Sequence, residues 1–571
     1  MAALIIVAGL TYLPGQTVVP AVDRTEGVVA LSSRHIVETG DVFSPRWGDK
    51  LQVFRPVGTF WLQAAALAGQ HGARLTEITA YRVGSFLATL LAVGLIFGLG
   101  RGLFGPEPAF VAALSVAVTP IVALHAQLAI AEPLVLPILI ASQLALYAIW
   151  RSGRNDPPPR WFGWLGLFWV MLGAGAWFNA LAVALLALTT ILGLAVVDRS
   201  IAPLLRLKPW FGVPLSVAVA LPWLAGLWVI GGGEPFDGLG WRKVLDVLEG
   251  GQDMKFKTAH GVFIAFVALA FIPVSHMLGP AVARAWGARR DPAVKFLLVW
   301  LIAPVIALEA FSNKPPLYTV QAVFPAGALL VAMAVTGRLG LREPFKAWPG
   351  FFTGASLLLA TLVPSLSGGL LWLTGTPATI AVAVGAVLIV ALFIVAGFAA
   401  ARGEGHAWLA GAIAATFVLD VWFFGALMPG LRNTWTAPQV AAAVREIKAC
   451  GVDDVVVTGF REPSLPLALG DDAAVATPEA AGRAAAAQPR AWAIVEERAR
   501  TEFAAAGGET ARADLGCMRS INMARGCRLT FRILAPVSAA AGGAPRCRLS
   551  APASCPETGG DAGWLELEHC R

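Results

Sequence analysis

The residues that could do chemistry in this chain stand in the turns between long apolar runs. The stretch VDRTEGVVALSSRHIVETGD (22–41) carries Asp23, Arg24 and Glu26 close together. Arg55 follows in VFRPVGTFWLQ (53–63), and Tyr81 and Arg82 stand side by side at the start of the next apolar run. Glu132 lies in AIAEPLVL. Asp253, Lys255 and Lys257 lie in GGQDMKFKTAH, and Lys314 and Tyr318 lie in SNKPPLY. Carboxylates and cations gathered at one end of a helical bundle suit a substrate with a phosphate head and a lipid tail. Lys and Arg would hold the phosphate, and a carboxylate would act as general base. Taken one at a time, a charge at a helix end is ordinarily a solvated or snorkelling side chain. Glu132 and Lys314 rise above that because their turns are otherwise apolar, where a buried charge costs several kcal/mol.

The elements that must position these residues are membrane helices. The chain is 57% hydrophobic and only 14% charged, against about 25% charged in soluble domains. Apolar runs of roughly 20 residues recur through its first three quarters. In hydrocarbon such runs must be helical, since every backbone amide needs an internal partner. The expected spans are 2–14, 80–100, 108–127, 131–150, 162–178, 180–197, 209–231, 260–282, 294–311, 318–336, 349–371, 378–400 and 406–428, about thirteen at this length per span. The 162–197 pair has two alternatives, one long helix or a re-entrant hairpin. Residues 1–14 lack a basic n-region and a small-x-small cleavage site, and read as a span rather than a cleaved signal peptide.

Arg and Lys set the expected orientation. Arg101, RSGRNDPPPR (151–160), Arg199 with Arg206 and Lys208, Arg284 with Arg289 and Arg290, Arg338 with Arg342 and Lys346, and Arg402 mark one set of alternate short loops. These should be cytoplasmic. The long first loop 15–79, the segments 232–259 and 312–317, and everything after 429 then face outward. Stretches 26–38 and 57–69 are amphipathic or apolar enough to lie along the interface. The net charge of +7 reflects cytoplasmic loops, not nucleic-acid binding.

Residues 431–571 read as a soluble α/β domain following a membrane domain at 1–430. TAPQVAAAVREIKAC (436–450) has a helical period; 453–460, 490–497 and 527–534 read as strands, and 496–507 as a helix. All six cysteines fall here, from Cys450 to Cys570. That placement predicts disulfides in an oxidising compartment, with Cys517–Cys527 the first expectation because the two flank a short turn. Residues 535–563, rich in Ala, Gly, Pro and Ser, read as mobile.

TEGVVALSSRHIVETGD (25–41), RPVGTFWLQAAA (55–66), YRVGSFLATLLAV (81–93), RDPAVKFLLVWLI (290–302), NKPPLY (313–318), FPAGALL (324–330) and GFREPSLPLALG (459–470) run in the order of a known family. The chain resembles the GT-C glycosyltransferases of family 39, which include protein O-mannosyltransferases and lipid A aminoarabinose transferases. The resemblance implies a polytopic α-helical fold with a catalytic outer loop at 15–79 and an outer α/β domain. It also implies transfer of a sugar, with inversion, from a polyprenyl-phosphate donor to a lipid, glycan or protein acceptor at the outer face of a bacterial inner membrane. No nucleotide sugar is involved, and no Gly-rich phosphate loop is found.

The family's Asp-Glu pair reads Thr25-Glu26 here, with Asp23 two residues before Thr25. Its Lys-Pro turn reads Arg55-Pro56, and its Lys-Gly-Pro turn reads Asn179-Ala180-Leu181. An outer His that can help bind metal aligns with Lys255. No cofactor is expected; a divalent metal is compatible with the family, but the usual ligands are replaced. Glu26 or Asp23 is the expected base, since general-base work needs hydrogen-bond reach rather than a fixed register. Arg24, Arg55, Tyr81, Arg82, Glu132, Asp253, Lys255, Lys314 and Tyr318 are the expected substrate-binding set. The alternative is a homologue without chemistry that binds a lipid carrier or serves as a scaffold. A transporter ranks third, because the charges lie at helix ends rather than midplane.

Overall fold

The computed structural model describes residues 1–48, 50–51, 57–69, 76–152, 161–230, 261–311, 320–339, 349–522 and 526–537. Helix α1 (Ala2–Val18) leads into the first loop, which holds α2 (Asp23–Thr39), the short hairpin β1 (Arg46–Trp47) and β2 (Lys50–Leu51), and α3 (Gly58–Ala66). The chain then crosses through α4 (Ile78–Phe104) and returns through α5 (Pro106–Ala117) and α6 (Pro120–Ala126), before α7 (Glu132–Arg151). At 1.5 Å per residue α4 is about 40 Å long, more than a hydrocarbon core needs.

Among the described residues seven helices are long and apolar enough to cross a membrane, or eight if α5 and α6, bent by 65°, count as one. Shorter apolar helices such as Phe162–Gly175 and Ala182–Asp198 stand among them. The protein is thus a multi-pass membrane protein. Apolar side chains left outside the bundle, such as Val387 at 70% and Ile380 at 84% exposure, fit a lipid-facing surface.

Some expected spans keep their form and others differ. The 162–197 region is two helices, Trp161–Gly175 and Ala180–Asp198, as its two expected spans have it rather than one long helix. The Asn179 side chain caps the second by accepting from the Ala182 amide at 3.0 Å. The expected 260–282 span is broken into Val262–Ala270 and Ser275–Gly287 around Pro273, which has no amide to donate. The expected 318–336 span contains a helix of only 12 residues, Phe324–Val335, preceded by a 3-10 turn. Residues 423–427 form a π-turn at the end of the last membrane helix.

The C-terminal domain is a five-stranded sheet in the order β4-β3-β5-β7-β6. β3 (Val455–Thr458) pairs in parallel with β4 (Ala474–Ala476) and β5 (Trp492–Glu496). β7 (Cys527–Pro536) runs antiparallel to β5 and to β6 (Arg512–Asn522). Side chains alternate across the strands. Val455, Val457, Ile494 and Phe531 pack with Val440 and Val444 of helix Thr436–Ala449 on one face. Val456, Val495 and Leu534 pack with Ala481 and Phe503 on the other. Two helices and the strands β4 and β6 were not expected from the sequence. β6 is an edge strand whose RADLGCMRSIN pattern has only scattered apolar residues.

Cys450, Cys517 and Cys527 are each disulfide-bonded. The expected Cys517–Cys527 bridge is incompatible with the sheet. Cys517 lies opposite Arg532 and Cys527 opposite Asn522, so the two are five positions apart along the ladder, about 17 Å. A disulfide tolerates no more than about 7 Å between Cα atoms. Residues 538–571, with the other three cysteines and most of the stretch 535–563 expected to be mobile, lie outside the described residues, while Ala535 and Pro536 at the start of that stretch belong to β7. Non-reducing peptide mapping should therefore find Cys517 and Cys527 bridged, but never to each other; a direct Cys517–Cys527 peptide would contradict the β6–β7 register.

Candidate functional site at the first-loop helix

Helix α2 begins after Val22 without a side-chain cap and ends at Gly40, whose φ of 74° lets its amide return to the Ile36 carbonyl at 2.9 Å. Its two faces do different things. At 100° per residue, Glu26, Val29, Ser33 and Ile36 share one face, and Arg24, Gly27, Leu31 and Arg34 share the roughly opposite one. The first face packs toward the membrane helices. Val29 and Ile36 meet Phe60 and Ala64 of α3, and the Ser33 hydroxyl donates to Gln63 Oε1 at 2.9 Å. α3 is in turn seated on the turn before Asn179, where the Gly58 amide donates to the Trp177 carbonyl at 2.9 Å.

Glu26 closes this face. Its carboxylate receives Arg82 Nε at 2.8 Å and Arg82 Nη2 at 2.6 Å, a bidentate pair. It also accepts from the backbone amides of Ala129 at 2.6 Å and Val22 at 2.9 Å. The carboxylate thereby also satisfies the amide of Val22, the residue that precedes the helix. Both side chains are 0% exposed.

Arg82 uses its remaining donors on the end of α1. Nη1 donates to the carbonyls of Gly15 at 2.8 Å, Val19 at 2.7 Å and, more weakly, Gln16 at 3.3 Å. Nη2 also reaches the Pro20 carbonyl at 3.1 Å. All five guanidinium donors are thereby engaged. The cation sits where the last carbonyls of α1 lack helical partners and carry the negative end of its dipole. One buried ion pair thus joins the end of α1, the start of α2, the start of α4 and the turn between α6 and α7.

Glu26 therefore is not an open carboxylate facing an acceptor, as expected from the sequence, and Arg82 is not a free cation at a cavity edge. Tyr81, also expected at a binding surface, is buried with Ala30, Leu67, Ala129 and Leu467. Arg24, expected to bind substrate, forms an ion pair with Glu462 of the C-terminal domain at 2.9 Å. Glu132 is half-buried at the first position of α7, and its carbonyl accepts from Gln321 Nε2 at 3.0 Å. Asp23 begins α2. Arg55, Asp253, Lys255, Lys314 and Tyr318 lie outside the described residues. The structure thus brings Glu26, Tyr81 and Arg82 together, with Glu132 at the end of the adjacent turn.

Three contributors escaped the sequence reading. The Ala129 amide could not be seen in any pattern. His125 Nδ1 and Gln321 Oε1 meet at 3.1 Å in the buried region behind Glu132. Glu462, in GFREPSLPLALG, had a usable signal: it is the one acid of that segment. Beside this site a cleft of about 220 Å³ opens between the two ends of the first loop and the C-terminal domain, lined by Pro20, Ala21, Ile78, Arg445 and Leu467 among others. Among the described residues no group of three His, Cys, Asp or Glu side chains is placed to hold a metal ion.

Breaking the pair should be costly. Arg82→Met leaves a buried carboxylate without its counter-ion and should lower stability by about 3–5 kcal/mol. The double variant Glu26→Gln/Arg82→Met should lose less than the sum of the two single changes. Thermal unfolding of the detergent-solubilised protein reads both; additive losses would mean that the two side chains do not act as a unit.

Comparisons with known proteins agree with this architecture. The family model for dolichyl-phosphate-mannose-protein mannosyltransferase matches residues 55–226. An undecaprenyl phosphate-alpha-4-amino-4-deoxy-L-arabinose arabinosyl transferase of Pseudomonas fluorescens is 26% identical over 318 residues, 54% of this chain and 55% of that protein. Its counterpart in Pseudomonas aeruginosa PAO1 is 26% identical over 304 residues, 53% of each chain. The chain spans about half the length of these curated relatives. The crystal structure of ArnT from Cupriavidus metallidurans bound to undecaprenyl phosphate superposes with a TM-score of 0.70 at 16% identity, covering 93% of this chain and 97% of that one. The chain therefore has the GT-C fold, and in sequence it is like the family 39 aminoarabinose transferases.

Proposed function

We propose that this chain is an inner-membrane glycosyltransferase that takes a sugar from a polyprenyl-phosphate donor and passes it to a lipid, glycan or protein acceptor on the outer face. The observation that carries the reading is the sequence likeness to transferases named for undecaprenyl-phosphate-linked aminoarabinose. The fold shared with a protein solved with undecaprenyl phosphate supports it. We take 1–430 as the membrane unit, with 15–79 its catalytic loop, and 431–571 as a periplasmic domain.

The chemistry asks for few parts. A carboxylate removes the proton from an acceptor hydroxyl or amine. The acceptor atom attacks the anomeric carbon from the face opposite the phosphate. The bond from that carbon to the phosphate oxygen breaks, leaving the polyprenyl phosphate with the electron pair and the sugar inverted. Arg55 and Lys314 are the proposed cations for the departing phosphate, with Asp253, Lys255 and Tyr318 beside the sugar or acceptor. Because the acceptor positions of Glu26 are filled by four donors, Asp23 is the better candidate base. Glu26 and Arg82 then hold the loop rather than touch the reacting atoms.

The same filling of Glu26, together with Thr25 at the family's usual Asp position, favours a second reading: a lipid-carrier-binding protein of this fold without transfer chemistry. Turnover separates the two. Full-length protein in liposomes with a polyprenyl-phosphate-linked sugar and an acceptor should release free polyprenyl phosphate. Asp23→Asn should lower that rate by about 10²–10⁴ while leaving binding of polyprenyl phosphate unchanged. Binding without turnover in the unaltered protein selects the second reading.

The orientation is tested separately. A reporter active only in the periplasm, fused after Arg571, should be active. Activity of a cytoplasm-only reporter at that point would reverse the proposed topology.

A further inference from the structure

The second face of α2, the one carrying Arg24, Gly27, Leu31 and Arg34, is turned to the C-terminal domain. Arg24 donates to Glu462 through Nε at 2.9 Å and Nη2 at 3.4 Å. One turn on, Gly27 lies so close to the segment 463–464 that a β-carbon there would stand 2.7 Å from the Ser464 amide nitrogen and 2.8 Å from the Pro463 carbonyl carbon. Both are backbone atoms, so no side chain fits without moving one segment away. Leu31 packs in the cluster that contains Leu467. Arg34 reaches Asp471 at 3.4 Å. These contacts run the length of one helical stripe, and all come from the single segment 462–471.

That segment is rigidly supplied. Gly459, at φ 93°, turns the chain out of β3, and a β-carbon there would meet the Glu496 side chain at 2.4 Å. Phe460 then anchors in the sheet core at 2% exposure. Glu462 follows with its side chain 6% exposed, and Asn522 at the end of β6 reaches it at 3.5 Å. An exposed ion pair is worth little, but here the carboxylate end is buried and held by the fold of another domain.

We propose that Glu462 is a positioning residue for the first-loop helix: from the C-terminal domain it holds Arg24, and so fixes the first turn of α2 that carries Asp23 and Glu26. The membrane half fixes that turn from one side through Arg82, and the C-terminal domain fixes it from the other through Glu462. This rests on the transferase reading above for its consequence in rate, and on the contacts alone for its consequence in structure. A small misplacement of reacting groups costs up to about a hundredfold in rate, so a domain that supplies no reacting atom still governs turnover.

The test has two arms, both on the full-length protein. Glu462→Ala should raise hydrogen exchange in peptides covering 22–39 and leave β3, β5 and β7 as protected as before. The charge-swapped double variant Arg24→Glu/Glu462→Arg should restore protection at 22–39. Unchanged exchange at 22–39 in Glu462→Ala, or loss of protection confined to the sheet, overturns the proposal. In turnover, Glu462→Ala should lower kcat by about tenfold to a hundredfold with KM for the lipid-linked donor unchanged, and the swapped pair should recover most of it. A raised KM at unchanged kcat, or no recovery in a swapped variant, would instead make Arg24 or Glu462 a substrate contact and overturn the positioning role. An unaltered protein without turnover refutes the transferase reading and leaves the exchange arm to decide the contact between the domains.

Discussion

The buried pair of Glu26 and Arg82 is the constraint on which the site depends. Taking two charges out of water into a membrane protein costs several kcal/mol per ion unless every donor and acceptor is met. Here they are met, and by four different segments. The acid receives two amides besides the guanidinium. The guanidinium serves the carbonyls where α1 runs out of helical partners. None of these groups can leave without orphaning the others. The start of α2 is therefore fixed relative to α1, α4 and the α6–α7 turn by bonds that all four segments share.

That fixed point explains how a first loop of this length can hold a defined position, as the proposed site requires. Loops are ordinarily the most mobile parts of a structure, and reacting groups need placement to fractions of an ångström. The answer in this chain is to make the critical part of the loop a helix and cover two of its faces. The face at 26, 29, 33 and 36 is held by the membrane half, through Arg82, Phe60 and Gln63. The face at 24, 27, 31 and 34 is held by segment 462–471. Gly27 is what permits the second contact, since any side chain there would push the domain off. The two halves of the chain are thus joined through α2 as well as through the covalent connection at 431–435.

How much of this could be read in the sequence follows from which physical signals are local. Long apolar runs announce membrane helices because hydrocarbon leaves the backbone no alternative, and α4, α7 and the helices 349–374 and 380–401 fell near their expected places. Signals that depend on a break inside a run were weaker: Pro273 and the turn at 118–119 divide segments whose composition is continuous. In the C-terminal domain, β3, β5 and β7 are central, the first two nearly all apolar and β7 alternating, and were legible. β6 is an edge strand and β4 has three residues, and neither has a pattern strong enough to show. The site was legible as a set of residue types and opaque as a set of partners. Nothing in the spacing of Glu26 and Arg82, 56 positions apart, says that they meet, and a carboxylate inside a family motif invites the reading of a base. Only the saturation of its oxygens, a three-dimensional property, makes it a fastener.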